Sequence, residues 1–380
     1  MRHIYLDYAA TTPTRPEAIE AMQPYFFELS GNPSAAHSFG QRSKAPVGPA
    51  HRNASLLLGC AGDEVFFTAS GTESNNTVIK GVADAGRNRG NHIICSSVEH
   101  SAVLEPCRYL AQRGYDISFL PVDGTGRIDP DEVRKAITGK TILISIMHAN
   151  NETGTIQPIQ EIGRIAREYT VPFHTDAVQS FGHIPLNVDE MNLDYLSVSA
   201  HKCYGPKGIG ALYMRKGSPF TPLLHGGGQE RGRRSGTHNI PGIAGFAKAM
   251  ELASAEMESN AAFFSRLRKR LISALSERCN DITINGDEKY MLQHIVSVTL
   301  KNVNNQELLT ELDKEGIYIS RGAACGASRD APSHVLLAMG MSPEKANSTV
   351  RLSLGKWNTG EEIDEAAEVL AKVADRLRKH

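Results

Sequence analysis

The chain has 380 residues, with 41 Lys and Arg set against 42 Asp and Glu and a formal charge of −1. That balance excludes a surface that holds nucleic acid or anionic membrane by bulk charge. Hydrophobic residues make up 41% and charged residues 22%, a soluble globular composition long enough for two domains, and no apolar run approaches the ~18 residues of a membrane span.

Met1 leads into a short strand with no charged-then-apolar leader, and the six cysteines (60, 95, 107, 203, 279 and 325) show no CxxC spacing. Both features give the expectation of a cytoplasmic protein with reduced thiols. Pro46 and Pro49 interrupt a helical stretch, so that helix should start late or kink. From about residue 60 to 215, β-rich runs (64–69, 92–95, 117–121, 141–147, 172–176 and 193–199) alternate with helical patterns at 101–112, 129–137 and 159–169. Asp129 before Pro130 is a helix start signal. This alternation predicts an α/β fold, a mainly parallel sheet with helices on both faces and ligands at the carboxyl ends of the strands. After the glycine-rich stretch 225–228 and the loop 231–239, a long helical region, with or without a break, runs from near Pro241 to Arg278. Strands at 294–300, 318–320 and 350–354 and helices at 305–315 and 361–378 complete a smaller α+β unit. The expected division is a large domain over 15–255 and a small domain from 1–14 and 256–380, joined rigidly inside the long helix.

The chemistry gathers at predicted strand ends. Lys202 follows a buried-looking strand in Ser199-Ala-His-Lys202, where poor solvation lowers an amine's pKa and suits Schiff-base chemistry. Ser199 and His201 beside it can bond a phosphate. Asp176 closes the preceding strand, with Gln179 three residues on. A carboxylate there holds a pyridine nitrogen protonated and the amide bonds a ring hydroxyl, which fits pyridoxal phosphate; taken singly, Asp176 is as good a helix N-cap. Ser70-Gly71-Thr72-Glu73 opens a helix whose free N–H groups suit a phosphate, although a capping box uses the same residue types. His100 and Asn151 each lie just past another strand end, placed to stack on the ring, carry protons or meet polar substrate atoms.

These segments, together with Tyr5-Leu-Asp-Tyr-Ala-Ala-Thr-Thr12, Gly31-Asn-Pro-Ser34, Asn150-Asn-Glu152, Arg234-Ser-Gly-Thr237 and Arg351-Leu-Ser-Leu354, resemble the cysteine desulfurases of the NifS/IscS family, class V aminotransferases of the fold type I pyridoxal-phosphate class, almost end to end. The resemblance implies a large domain with a seven-stranded type of sheet and a small C-terminal domain. It implies that Lys202 carries the cofactor, Asp176 pairs with the pyridinium, Gln179 with the ring oxygen, His100 stacks on the ring, and Thr72, Ser199 and His201 hold the phosphate. Thr237 reaches the phosphate site of a partner subunit in a homodimer, and Asn151 and Arg351 bind the substrate carboxylate, a role the planar guanidinium fork suits by itself. Cys325, in the small-residue loop Gly322-Ala-Ala-Cys-Gly-Ala327, takes up sulfur as a persulfide, with neighbouring arginines favouring its thiolate; the other five cysteines read as packing residues. Arg321 departs from the family's pattern at a position usually small, and the chain stops at His380 without the longer tail some members use to dock a scaffold. The implied activity is conversion of L-cysteine to L-alanine, with sulfur passed to an acceptor protein for iron–sulfur cluster assembly or another thio-modification. The alternatives are a selenocysteine or cyst(e)ine lyase that needs no persulfide carrier, and a non-catalytic sulfur-transfer scaffold.

Overall fold

A computed structural model describes residues 3–322 and 331–378. In chain order its strands are β1 (Ile4–Tyr5), β2 (Val65–Thr68), β3 (His92–Ser96), β4 (Asp116–Leu120), β5 (Thr141–Ser145), β6 (Phe173–Asp176), β7 (Tyr195–Ser199), β8 (Gly210–Met214), β9 (Ile282–Asn285), β10 (Ile295–Leu300), β11 (Ile317–Tyr318) and β12 (Thr349–Ser353). Seven of them form one sheet in the order β2-β8-β7-β6-β5-β3-β4. The pairs from β4 through β7 are parallel, while β8 runs antiparallel to both β7 and β2. Because two reversals cancel, β2 points the same way as β7, and its carboxyl end lies on the same edge as those of β3, β5 and β6.

The inner strands are buried at every position, as a sheet covered on both faces requires. Neighbouring residues face opposite ways: Phe67, Ile94, Ile144 and Phe173 join one apolar cluster, whereas Phe66, Ile93, Leu143 and Leu212 join another. The strand β8 was not expected from the sequence; it follows β7 without an intervening helix, so the strand–helix rhythm gave no sign of it.

The second unit is a three-stranded antiparallel sheet, β12-β10-β9, with the β1-β11 pair beside it. Leu271, Val298, Leu352 and Leu370 centre its core, and Ile4 and Leu6 from the chain start pack there too. The helix Ile240–Arg278 runs unbroken for 39 residues from an Asn239 cap. Its first part gives Phe246 and Met250 to the large-sheet core, and its later part gives Phe264 and Leu271 to the small one. At the two prolines the chain forms separate helices, Ser38–Ser43 and Val47–Leu58, so the helix does restart late. No helix among the described residues is long and apolar enough to cross a membrane.

Candidate active site

At the common carboxyl edge of the large sheet lies a cavity of about 190 Å³. Its walls include Gly71, Thr72, His100, Asn151, Asp176, Gln179, Ser199, His201, Lys202 and Arg351. All ten were singled out in the sequence, and the fold brings them together. Thr237 stands elsewhere, exposed on the loop after the glycine-rich stretch. That loop is tied down by Arg234, whose Nε and Nη2 grip the two Glu73 oxygens at 2.8 and 3.2 Å. Cys325 lies outside the described residues.

Each wall is fixed by local chemistry. Beyond β2, Ser70 caps the helix Gly71–Ala85, its Oγ accepting from the Glu73 N–H at 3.1 Å. A Cβ on Gly71 would lie 2.6 Å from Val178 Cγ2, so only glycine lets this helix end close on the sheet. Beyond β3, His100 caps the helix Ser101–Ala111, its Nδ1 accepting from the Ala102 N–H at 3.1 Å. Burial holds its pKa below the ordinary value; nearby Lys202 and His334 work in the same direction, and Asp176 works against them. The neutral ring with Nδ1 engaged carries its proton on Nε2.

Asp176, at the end of β6, accepts from the Val178 N–H at 2.9 Å and from Asn75 Nδ2 at 2.6 Å. Asn75 escaped the sequence reading, although it stands one helical turn beyond Gly71 and therefore on the same face. Its Oδ1 is buried without a partner among the described residues. Beyond β7, a tight turn over Ala200–Lys202 delivers the lysine. Its Nζ donates to the carbonyl oxygens of Ala9 and Ala10 at 2.5 and 2.7 Å, and Gln179 Nε2 also donates to Ala9 at 2.9 Å. His201 meets Thr11 at 3.1 Å, and burial, reinforced by Lys202 and Lys207, holds its pKa down at about 4. Ala9 and Ala10 of the chain start thus form part of the cavity wall, and no role was given to their carbonyls from sequence.

Arg351 arrives from the other sheet. It is 2% exposed, with Nη1 donating to the Asn151 carbonyl and Nη2 to Asp7 Oδ1, both at 2.7 Å. The remaining cysteines are poor competitors for sulfur chemistry: burial pushes the Cys60 and Cys203 thiols up to about 12. Cys60 is only half-buried, whereas Cys95, Cys107, Cys203 and Cys279 are buried.

A lysine, an aspartate and a helix-end cup at parallel strand ends make a matching family model decisive, and one described as aminotransferase class V matches residues 4–366. The chain belongs to that family, among its cysteine desulfurases. A protein named cysteine desulfurase IscS, from Dictyoglomus turgidum, is 48% identical over 99% of this chain and 96% of its own. A solved NifS-like protein superposes with a TM-score of 0.93 at 39% identity, covering 99% of this chain and all of its own. A second solved structure, SspA in complex with cysteine, has a TM-score of 0.83 and 39% identity, covering 94% of this chain and all of that one.

Enzymes of this family depend on pyridoxal phosphate, and the residues here fit it. An amine for its aldehyde, a buried carboxylate for its ring nitrogen and a glycine-opened helix end for its phosphate all face one cavity. Asn75, which also lines the cavity, keeps an Oδ1 with no hydrogen-bond partner among the described residues.

Proposed function

We propose that this chain, a pyridoxal-phosphate-dependent cysteine desulfurase, converts L-cysteine to L-alanine in the described cavity and takes up the sulfur on Cys325. The observation that carries the reading is that Lys202, Asp176 and Arg351 line one cavity. The bound cofactor supplies an electron sink. Arg351 and Asn151 orient the substrate carboxylate, Asp176 keeps a proton on the ring nitrogen, and Gln179 meets the ring oxygen. The Gly71 helix end, Thr72, Ser199 and His201 hold the phosphate; a neutral His201 serves as a donor there without adding a charge. Lys202, steered by the Ala9 and Ala10 carbonyls, moves the Cα proton as general base. His100 would lie against the ring, and its Nε2 would carry the proton that it exchanges.

Cys325 Sγ bonds to the substrate sulfur as the C–S bond breaks. That bond's electron pair stays on carbon, which a proton converts to the methyl of alanine, and no outside oxidant is needed. Thr237 acts in the phosphate site of a second copy, so the working form is a homodimer. The persulfide passes to an acceptor protein in the cytoplasm, an iron–sulfur scaffold or a thiolation enzyme. Cys325→Ser tests the sulfur step: the variant should keep its yellow cofactor and lose alanine formation from cysteine by about a hundredfold or more. Undiminished alanine, or pyruvate in its place, overturns the persulfide step.

A further inference from the structure

We propose that Asp7 is a positioning residue that aims Arg351 and, by its charge, sets how tightly the site holds a substrate carboxylate; the inference rests on the reading of Arg351 given above. Three observations carry it. First, Arg351 is almost wholly buried, and Asp7 is the one carboxylate paired with it among the described residues. A buried guanidinium needs such a partner, or its desolvation goes uncompensated. Second, the fork is clamped from two sides, by Asp7 on Nη2 and by the Asn151 carbonyl on Nη1, while Nε is buried with no partner among the described residues. Arg351 lines the cavity, and the N–H donors not used in these two bonds can take up an anion. Third, both ends of the Asp7–Arg351 pair are held by backbone. Arg351 exchanges hydrogen bonds with Ser320 at 2.7 and 3.1 Å, and Asp7 bridges Ser353 two residues further along β12. The pair is therefore part of the fold, built before substrate arrives.

The arrangement has two opposed consequences. As an acceptor, Asp7 fixes the rotamer in which Arg351 lines the cavity with N–H donors to spare, which lowers the ordering cost of binding. As an anion, it shares the one guanidinium with that carboxylate and repels it. Positioning favours capture and charge favours release, so Asp7 holds carboxylate affinity below what Arg351 alone would give.

The two effects separate by substitution in the holoenzyme. Asp7→Asn keeps an oxygen able to accept from Nη2 and removes the charge. It should bind L-alanine, followed by its perturbation of the cofactor absorbance, roughly tenfold more tightly than the unaltered protein. Cysteamine, which carries the amine and thiol of cysteine without the carboxylate, should bind both proteins equally. Asp7→Ala removes acceptor and charge together and should bind L-alanine at least about fivefold more weakly than Asp7→Asn. An unchanged L-alanine affinity in Asp7→Asn, or an equal change for cysteamine, overturns the charge role. Equal L-alanine affinities in Asp7→Asn and Asp7→Ala overturn the positioning role. Arg351→Lys distinguishes the foundation from the inference: if it leaves L-alanine binding intact, Arg351 is not the carboxylate site and the reading beneath fails. If it weakens binding while Asp7→Asn changes nothing, the reading stands and this inference alone falls.

Discussion

Every candidate group that the seven-stranded sheet contributes sits at or just beyond a strand end, whereas the three-stranded sheet contributes Arg351 from the middle of β12. Strand ends are where side chains leave the ladder and meet helix N-termini, so reactive groups there are held by caps and tight turns a few residues long. His100 and Ser70 illustrate it, each capping the helix that it precedes. A mid-strand arginine has no such local support. Its charge is met by Asp7 and its donors by the Asn151 carbonyl, partners 344 and 200 positions away. In the proposed function, the large sheet adds local design to long-range contacts such as Asn75–Asp176, whereas the small sheet places Arg351 through long-range contacts.

The contrast breaks most sharply at Lys202. If the strand-end groups are the reactive ones, Lys202→Ala should abolish the cofactor's bound absorbance band and lower alanine formation by about 10⁴-fold, the upper range for a lost general base. Turnover within tenfold of the unaltered enzyme would move the chemistry elsewhere. A smaller effect sharpens the claim of close local packing. Gly71→Ala puts a methyl 2.6 Å from Val178 Cγ2, an overpacking that costs about 1–3 kcal/mol. The helix end should back away from the sheet, and equilibrium dialysis should show cofactor affinity lowered roughly tenfold. Wild-type affinity would show that the cup does not depend on the close approach.

Local design also explains what the sequence makes legible. Ser70-Gly71-Thr72 and Glu99-His100 each hold a capping residue at a helix start, and Ser199-Ala-His-Lys202 holds a turn and an amine within four positions, so their type and place can be read from the string. Asn75 was within reach by helical spacing, yet its partner Asp176 is 101 residues away. The Ala9 and Ala10 carbonyls that receive Lys202 leave no mark in sequence, because every residue has a carbonyl. Asp7 is a residue whose type gives a hint, but its importance appears only when β12 is folded beside the chain start. The strand β8 was hidden for a related reason: its buried run follows β7 directly and pairs by reversal.

The smallest expected effect compares the carboxyl groups of the two regions. Asp7 is matched to a guanidinium, whereas Glu99, beyond β3, is fully buried with no cation bonded to its carboxyl group among the described residues. Glu99 Oε1 accepts from Ser96 Oγ at 2.6 Å and from the Met147 N–H at 2.8 Å, tying the ends of β3 and β5 together, and Oε2 has no partner among the described residues. Burial, opposed by those two hydrogen bonds and aided by the charge of Asp176, pushes its pKa up to about 8. A pKa raised in the fold contributes stability that is complete below the unfolded value of about 4.5 and is lost as pH rises through about 8. Glu99→Gln keeps an oxygen acceptor and cannot ionise, so it should gain stability relative to the parent between pH 5 and 9, on the order of a few kcal/mol at most. The buried imidazoles His148 and His174, held by burial at about 4 and about 3, remain in both proteins and cancel from the difference. Denaturant midpoints of the pair at pH 5, 7 and 9 give the measurement. A constant gap across that range would mean that Glu99 is charged in the fold and that the strand-end region, like the small sheet, holds its carboxylates by compensation.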